Sequence, residues 1–175
     1  MFSTIVADPP WRFEDSLPGV GRGAAKNYPT LSLTELQEFP LPLLNPDCRL
    51  FLWRVAAMQE EALELMRAWG FKLKAEMVWL KETRNGKPWF GMGHTVRMSH
   101  ETCLIGVRGN PPVLSHSIRS IFSAPYTRHS GKPEVFYDLV ESLSPGPFAE
   151  LFARRQRPDW LCLGDQANLY TEEAE

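Results

Sequence analysis

Short apolar runs alternate along this chain with segments whose apolar residues recur at helical spacing. Thr4-Ile5-Val6-Ala7 is compact and rich in β-branched residues, the signature of a strand buried on both faces. Residues 12–31 have no hydrophobic period and contain Gly19, Gly21 and Gly23, which predicts a mobile loop. Ser32-Leu33-Thr34-Glu35 fits a capping box opening a short helix that Pro40 and Pro42 end. Arg49–Trp53 reads as a second strand. From Ala57 the period changes, with Met58, Ala62, Leu65, Met66 and Trp69 on one helical face and Gly70 as the stop. Ala75–Leu80 and Thr102–Val107 supply a third and a fourth strand, and Ser120–Phe122 a weaker one. The polar, glycine-rich residues 82–101 predict a second long loop, a length that in a compact domain signals function. Pro133 opens a helix with Phe136, Leu139, Val140 and Leu143 on one face. Phe148–Phe152 and Trp160–Leu163 complete the strands before an acidic tail. Strand and helix patterns in alternation predict an α/β fold with a three-layer sheet.

Composition adds limits. The 175 residues, 43% of them hydrophobic, suffice for one core and predict a single domain over 1–175. No basic leader and no apolar run of membrane-spanning length are visible, so the expected place is the cytoplasm, with no membrane partner. Cys48, Cys103 and Cys162 are odd in number and far apart, which points to buried thiols rather than disulfides. The net charge of −2 predicts no particular partner, but its distribution does. Residues 1–80 carry −2, residues 81–132 carry +6 and residues 133–175 carry −6. The basic block also holds Trp89, Phe90 and Tyr126, the combination expected where phosphates are neutralised and bases stacked.

The chemistry centres on Asp8-Pro9-Pro10-Trp11, directly after the first strand, where open α/β sheets place their sites. Two prolines fix the backbone and cannot donate, which leaves the Asp8 and Pro9 carbonyls as acceptors beside the flat face of Trp11. That arrangement suits a planar group bearing an amino donor, such as adenine. The four histidines lack metal-ligand spacing, so no metal site is expected, and no Gly-x-Ser-x-Gly elbow is present. What remains is transfer to a bound amino group. Accepting its hydrogens at Asp8 and the Pro9 carbonyl would aim the nitrogen lone pair at an electrophilic methyl. The 12–31 loop would carry Lys26, Asn27 and Tyr28 to the substrate, and Lys81, Arg97 and His100, in or beside the second loop, are further candidate contacts.

Taken in order, several motifs resemble one family. They are Ala7-Asp8-Pro9-Pro10-Trp11, Leu50-Phe51-Leu52-Trp53, Val78-Trp79-Leu80-Lys81, and His100-Glu101 with Leu104, Gly106 and Gly109. Lys132-Pro133 with Tyr137, Glu141 and Leu143-Ser144-Pro145-Gly146 follows, then Glu150-Leu151-Phe152-Ala153-Arg154 and Arg157-Pro158-Asp159-Trp160 with Gly164. Together they resemble the seventy-kilodalton adenosine-methyltransferase-subunit (MT-A) family of adenine-N6 methyltransferases, which use S-adenosylmethionine on RNA or DNA. The resemblance implies a Rossmann-like methyltransferase sheet in permuted order, catalytic motif first. It implies that Asp8, Pro9, Pro10 and Trp11 form the catalytic loop, with Asp8 also near the methyl donor. Lys132, Phe152, Arg154, Asp165 and Gln166 match cofactor-binding positions, and Tyr28 matches an aromatic residue of the first active-site loop. The Arg154–Trp160 segment departs from the eukaryotic messenger-RNA enzyme in lacking His-Asn. The compact size resembles bacterial or phage members acting on DNA, so DNA is expected ahead of RNA. Substrate selection is left to the two loops, a homodimer partner or another subunit. Two other readings keep the same motif: a catalytically silent nucleic-acid-binding subunit of a methyltransferase complex, and methylation of a protein side-chain amide, which the basic block disfavours.

Overall fold

A computed structural model describes residues 1–12, 30–93, 95–126 and 131–164. The strands are β1 Phe2–Ala7, β2 Leu44–Arg54, β3 Lys72–Glu82, β4 His100–Arg108, β5 Ile121–Pro125, β6 Phe148–Leu151 and β7 Trp160–Leu163. The helices are α1 Leu33–Gln37, α2 Gln59–Ala68 and α3 Glu134–Leu143. The strands form one sheet in the order β5-β3-β4-β2-β1-β6-β7. β1 lies parallel between β2 and β6, β7 continues parallel beyond β6, and β4 runs antiparallel to both β2 and β3.

Period-2 alternation sends the two faces of each central strand into separate clusters. Ile5, Ala7, Leu50, Leu52 and Leu104 pack on one side with Leu36 of α1 and Ala62, Leu65 and Met66 of α2. Val6, Phe51, Trp53, Cys103 and Ile105 pack on the other with Phe136, Tyr137 and Val140 of α3. Helices on both faces give the three layers and the α/β, Rossmann-like order the sequence predicts. The Ser32 capping box is present: the Ser32 hydroxyl accepts from Glu35 N–H while the Glu35 carboxylate accepts from Ser32 N–H at 2.7 Å. Gly70, at φ +82°, closes α2 in the left-handed region that its missing Cβ allows. Cys48 and Cys103 are buried free thiols and Cys162 is half-buried.

Strand lengths differ from the reading of the apolar runs. β2 starts at Leu44 and β3 at Lys72, because backbone pairing extends past the apolar positions into exposed ones such as Lys72 and Lys74. The loop expected at 82–101 is shorter at both ends. Glu82 belongs to β3, while His100 and Glu101 pair with Leu80 and Trp79 and so belong to β4. Those last two residues therefore sit on rigid backbone rather than in a loop.

A polar pin joins the far ends of the layers. Arg49, only 4% exposed, donates to the carbonyls of Pro111 and Pro112 at 3.1 and 3.0 Å and to Ser144 Oγ at 2.8 Å. Ser144 Oγ also meets Thr4 Oγ1 at 2.6 Å. A buried fork with this many acceptors cannot be removed without orphaning them. Arg49→Met is expected to lower stability by about 3 kcal/mol, seen as a lower urea midpoint with unchanged slope; an unaltered midpoint would show the pin to be dispensable.

Candidate active site

The carboxyl ends of β1, β2, β3 and β6 and the amino end of antiparallel β4 meet at one edge of the sheet. β1 delivers Asp8-Pro9-Pro10-Trp11, β2 delivers Arg54 and Val55, β3 delivers Lys81, and β4 begins with His100-Glu101-Thr102. Lys132 arrives just before α3 and Arg154 just after β6. These residues, with Thr30, Ala56, Ala57 and Met98, line a cleft of about 470 Å³.

The Asp8–Trp11 turn is held rigidly, and two details differ from the sequence reading. The Pro9 carbonyl is not left free: it accepts the Trp11 N–H at 2.8 Å, so only its second lone pair can serve a ligand. Trp11 is not an open plate either. It is 4% exposed and its Nε1 donates to the Trp53 carbonyl at 3.1 Å, so the ring anchors the turn to β2 and shows the cleft an edge. Both differences have one cause, since a Trp that follows a strand of core residues finds apolar contacts and an acceptor within reach. The Leu31 N–H donates to the Pro10 carbonyl at 2.9 Å and closes the far side of the turn.

Four charges run through the cleft in alternating sign. Lys81 Nζ lies 2.5 Å from Glu101 Oε1, Glu101 Oε2 lies 2.9 Å from Lys132 Nζ, and Lys132 Nζ lies 2.9 Å from Asp8 Oδ2. The Lys132 side chain is 9% exposed, and its ammonium also sits 4.8 Å from the Trp53 ring centroid. Burial pushes its pKa down, but Asp8 and Glu101 outweigh that and the pKa is raised. Burial likewise opposes ionisation of Glu101, and the Lys132 and Lys81 ammonium groups together hold its carboxyl at about 2. Lys81 is further enclosed by the Tyr126 and Trp79 rings, 4.7 and 5.2 Å from its Nζ.

Comparison with known proteins matches residues 2–166 to the model of one family, MT-A70. The chain belongs to the MT-A70 family. It is 33% identical to the human N(6)-adenosine-methyltransferase catalytic subunit METTL3 over 94% of this chain and 28% of that protein. A rice protein named probable N(6)-adenosine-methyltransferase MT-A70-like is 33% identical over 95% of this chain and 23% of its own length. The mouse N(6)-adenine-specific methyltransferase METTL4 is 28% identical over 94% of this chain and 37% of its own length. The chain thus spans about a quarter to a third of the length of the curated relatives it matches.

Within this MT-A70 chain the cleft gathers Asp8, Pro9, Pro10, Trp11, Lys81, His100, Lys132 and Arg154 from the residues singled out by sequence. Two others lie elsewhere. Phe152 meets Phe39 in a tilted pair with ring centroids 4.6 Å apart and packs against the core, and Arg97 lies over the Phe90 ring at 5.2 Å, outside the cleft lining. Asn27, Tyr28, Asp165 and Gln166 fall outside the described residues. Glu101 is the residue that sequence reasoning passed over as a site candidate. Its signal was available: apart from Glu82 it is the only acid in the basic block, and it stands directly before the apolar run Thr102–Val107. The motif residues Tyr137, Glu141 and Glu150 have structural partners. The Tyr137 hydroxyl donates to Glu150 at 2.7 Å, burial raising the pKa of both, and Trp160 Nε1 donates to Glu141 at 2.7 Å. Among the described residues no helix is long and apolar enough to cross a membrane, and no group of His, Cys, Asp or Glu side chains is placed to hold a metal.

The depressed Glu101 pKa carries a pH signature. A carboxyl at about 2 in the native state and 4.5 when unfolded stabilises the protein fully above about pH 5, and the contribution fades as pH falls towards 2. Glu101→Gln should therefore lower the urea midpoint at neutral pH, with the gap from wild type closing as the pH drops below about 4. A gap that stays constant across that range would contradict the ion-pair assignment.

Proposed function

We propose that this chain is an S-adenosylmethionine-dependent methyltransferase acting on the N6 amino group of adenine in a nucleic-acid strand. The reading rests above all on the position of Asp8: a carboxylate on a doubly proline-fixed turn, directly after the buried interior strand β1, inside a cleft that also holds cations and aromatic side chains. Membership of the MT-A70 family supports it, as do relatives named for N(6)-adenosine and N(6)-adenine methylation.

The cleft residues suit the methyl donor. Its amino-acid end bears an ammonium and a carboxylate, and the cleft offers Asp8 for the first and Lys132 and Arg154 for the second. When bound, S-adenosylmethionine supplies an electrophilic methyl on its sulfonium. Asp8 would accept a hydrogen bond from the adenine amino group and receive the proton released as the N–C bond forms, the methyl–sulfur bond breaking and the donor leaving as a neutral thioether. The second lone pair of the Pro9 carbonyl accepts the other amino hydrogen, which draws the nitrogen out of conjugation with the ring. The Lys132 ammonium, anchored by Glu101, holds the Asp8 carboxylate in one orientation. Because Trp11 is pinned to Trp53, the turn keeps that geometry without reorganising as substrate enters.

The test is incubation of the purified chain with labelled S-adenosylmethionine and, in separate arms, single-stranded DNA, duplex DNA and RNA, followed by nucleoside analysis. N6-methyladenine is expected in at least one arm. Asp8→Ala should reduce turnover by about 100-fold or more, while cofactor affinity, measured by calorimetry, falls by much less because Lys132 and Arg154 still hold the donor's carboxylate. Turnover retained in that variant would refute the catalytic assignment. Cofactor binding without product in any arm would favour the silent-subunit reading.

A further inference from the structure

In the connection between β3 and β4, the described residues 83–93 and 95–99 form a short structured finger that rises from the rim of the cleft. At its root the Trp89 N–H donates to the Lys81 carbonyl and the Lys81 N–H to the Ser99 carbonyl, both at 2.9 Å. Higher up the Gly91 N–H donates to the Met98 carbonyl at 3.1 Å. The backbones run so close that a Cβ at Gly91 would collide with the Met98 carbonyl, and one at Gly93 with the Val96 carbonyl. Glycine at both places lets the finger form without a bulky pair. Trp89 packs on Tyr126 at 4.6 Å and stiffens the base.

The finger exposes several large apolar side chains. Phe90, Met92 and Val96 are 75%, 81% and 66% exposed. The Arg97 guanidinium lies 5.2 Å from the Phe90 ring centroid. Arg84, Lys87 and Arg97 are its charged residues, and the segment contains no Asp or Glu. An exposed aromatic ring already paired with a guanidinium, among cations and without a carboxylate, matches a nucleobase flanked by phosphates. Phe90 also stands one Cα step, about 3.8 Å, beyond a residue hydrogen-bonded to Lys81 of the cleft lining. The finger therefore borders one way out of the cleft for a strand that has a base inside it.

We infer that Phe90, backed by Arg97, is a stacking platform for a base neighbouring the target adenine in the same strand, and so a determinant of how the strand is gripped. The inference rests on the proposed nucleic-acid substrate, but its readout is binding, which is separate from methyl transfer.

The test uses the full chain and a short fluorescent single strand carrying one adenine, alongside versions with an abasic site at each flanking position. Phe90→Ala should weaken binding by about five-fold or more, and Phe90→Trp should keep or tighten it. The slope of log affinity against log salt should stay unchanged in Phe90→Ala, whereas Arg97→Gln should make it shallower by about one unit. One abasic position should weaken the wild type yet have little further effect on Phe90→Ala, the non-additivity expected of two groups in contact. Equal affinity of wild type and Phe90→Ala, or additive losses at every abasic position, would overturn the inference. So would a change in sedimentation on Phe90→Ala with unchanged affinity for the strand, which would assign the surface to a protein partner. If the wild type binds no strand at all, both this inference and the proposed substrate fail. Coupled binding without N6-methyladenine would support the platform while counting against the enzyme.

Discussion

A buried ammonium between two carboxylates ties three separate parts of this fold together. Lys132 comes from the segment before α3, Asp8 from the end of β1 and Glu101 from the start of β4. Removing an ammonium from water costs several kcal/mol, and only close partners offset it. Each of the three residues therefore restricts where the other two can lie. Lys81 extends the same alternation to β3, so all three strand ends at the cleft rim answer to one electrostatic arrangement.

That arrangement is useful because the backbone beneath it is stiff. β1 is an interior strand between β2 and β6, with Ile5, Val6 and Ala7 completely buried between helical layers. It cannot shift without opening both cores. Its continuation through two prolines, locked by Trp11 to Trp53, carries this rigidity into the Asp8 carboxylate. The antiparallel direction of β4 is equally consequential. Had β4 run parallel to its neighbours, its first residues would have emerged at the opposite edge of the sheet, away from Lys132. The reversal brings Glu101 to the cleft and lets the 83–99 finger leave from the same rim.

Much of this was legible from residue order. The apolar runs located the cores of the interior strands β1, β2 and β4 because a strand covered on both faces must be apolar at nearly every position. The capping box at Ser32 and the stops at Gly70 and Pro40 were readable because they depend on neighbours a few residues away. The cleft members Asp8 and Lys81 were also readable, since strand ends and charge blocks mark sites, and Lys132 and Arg154 were readable through the family resemblance. Strand extensions such as Lys72–Lys74 were not, because a pairing partner rather than side-chain polarity makes them strand. His100 and Glu101 were read as loop for the same reason.

By itself, then, the sequence determined the alternation of strands and helices, the acidic turn after β1, the concentration of positive charge in the middle third and the motifs shared with the MT-A70 family. All of these follow from local periodicity, fixed proline geometry or residue identity. Only the tertiary structure decided that Lys132 lies between Asp8 and Glu101, that Trp11 is an anchor, that the Pro9 carbonyl is already half used, and that Phe90 stands exposed beside Arg97. The Lys132 and Trp11 contacts depend on strand direction and join residues tens of positions apart, while the Pro9 and Phe90 outcomes depend on the exact path of a turn and a loop, and none of these is encoded in the spacing of apolar and polar residues.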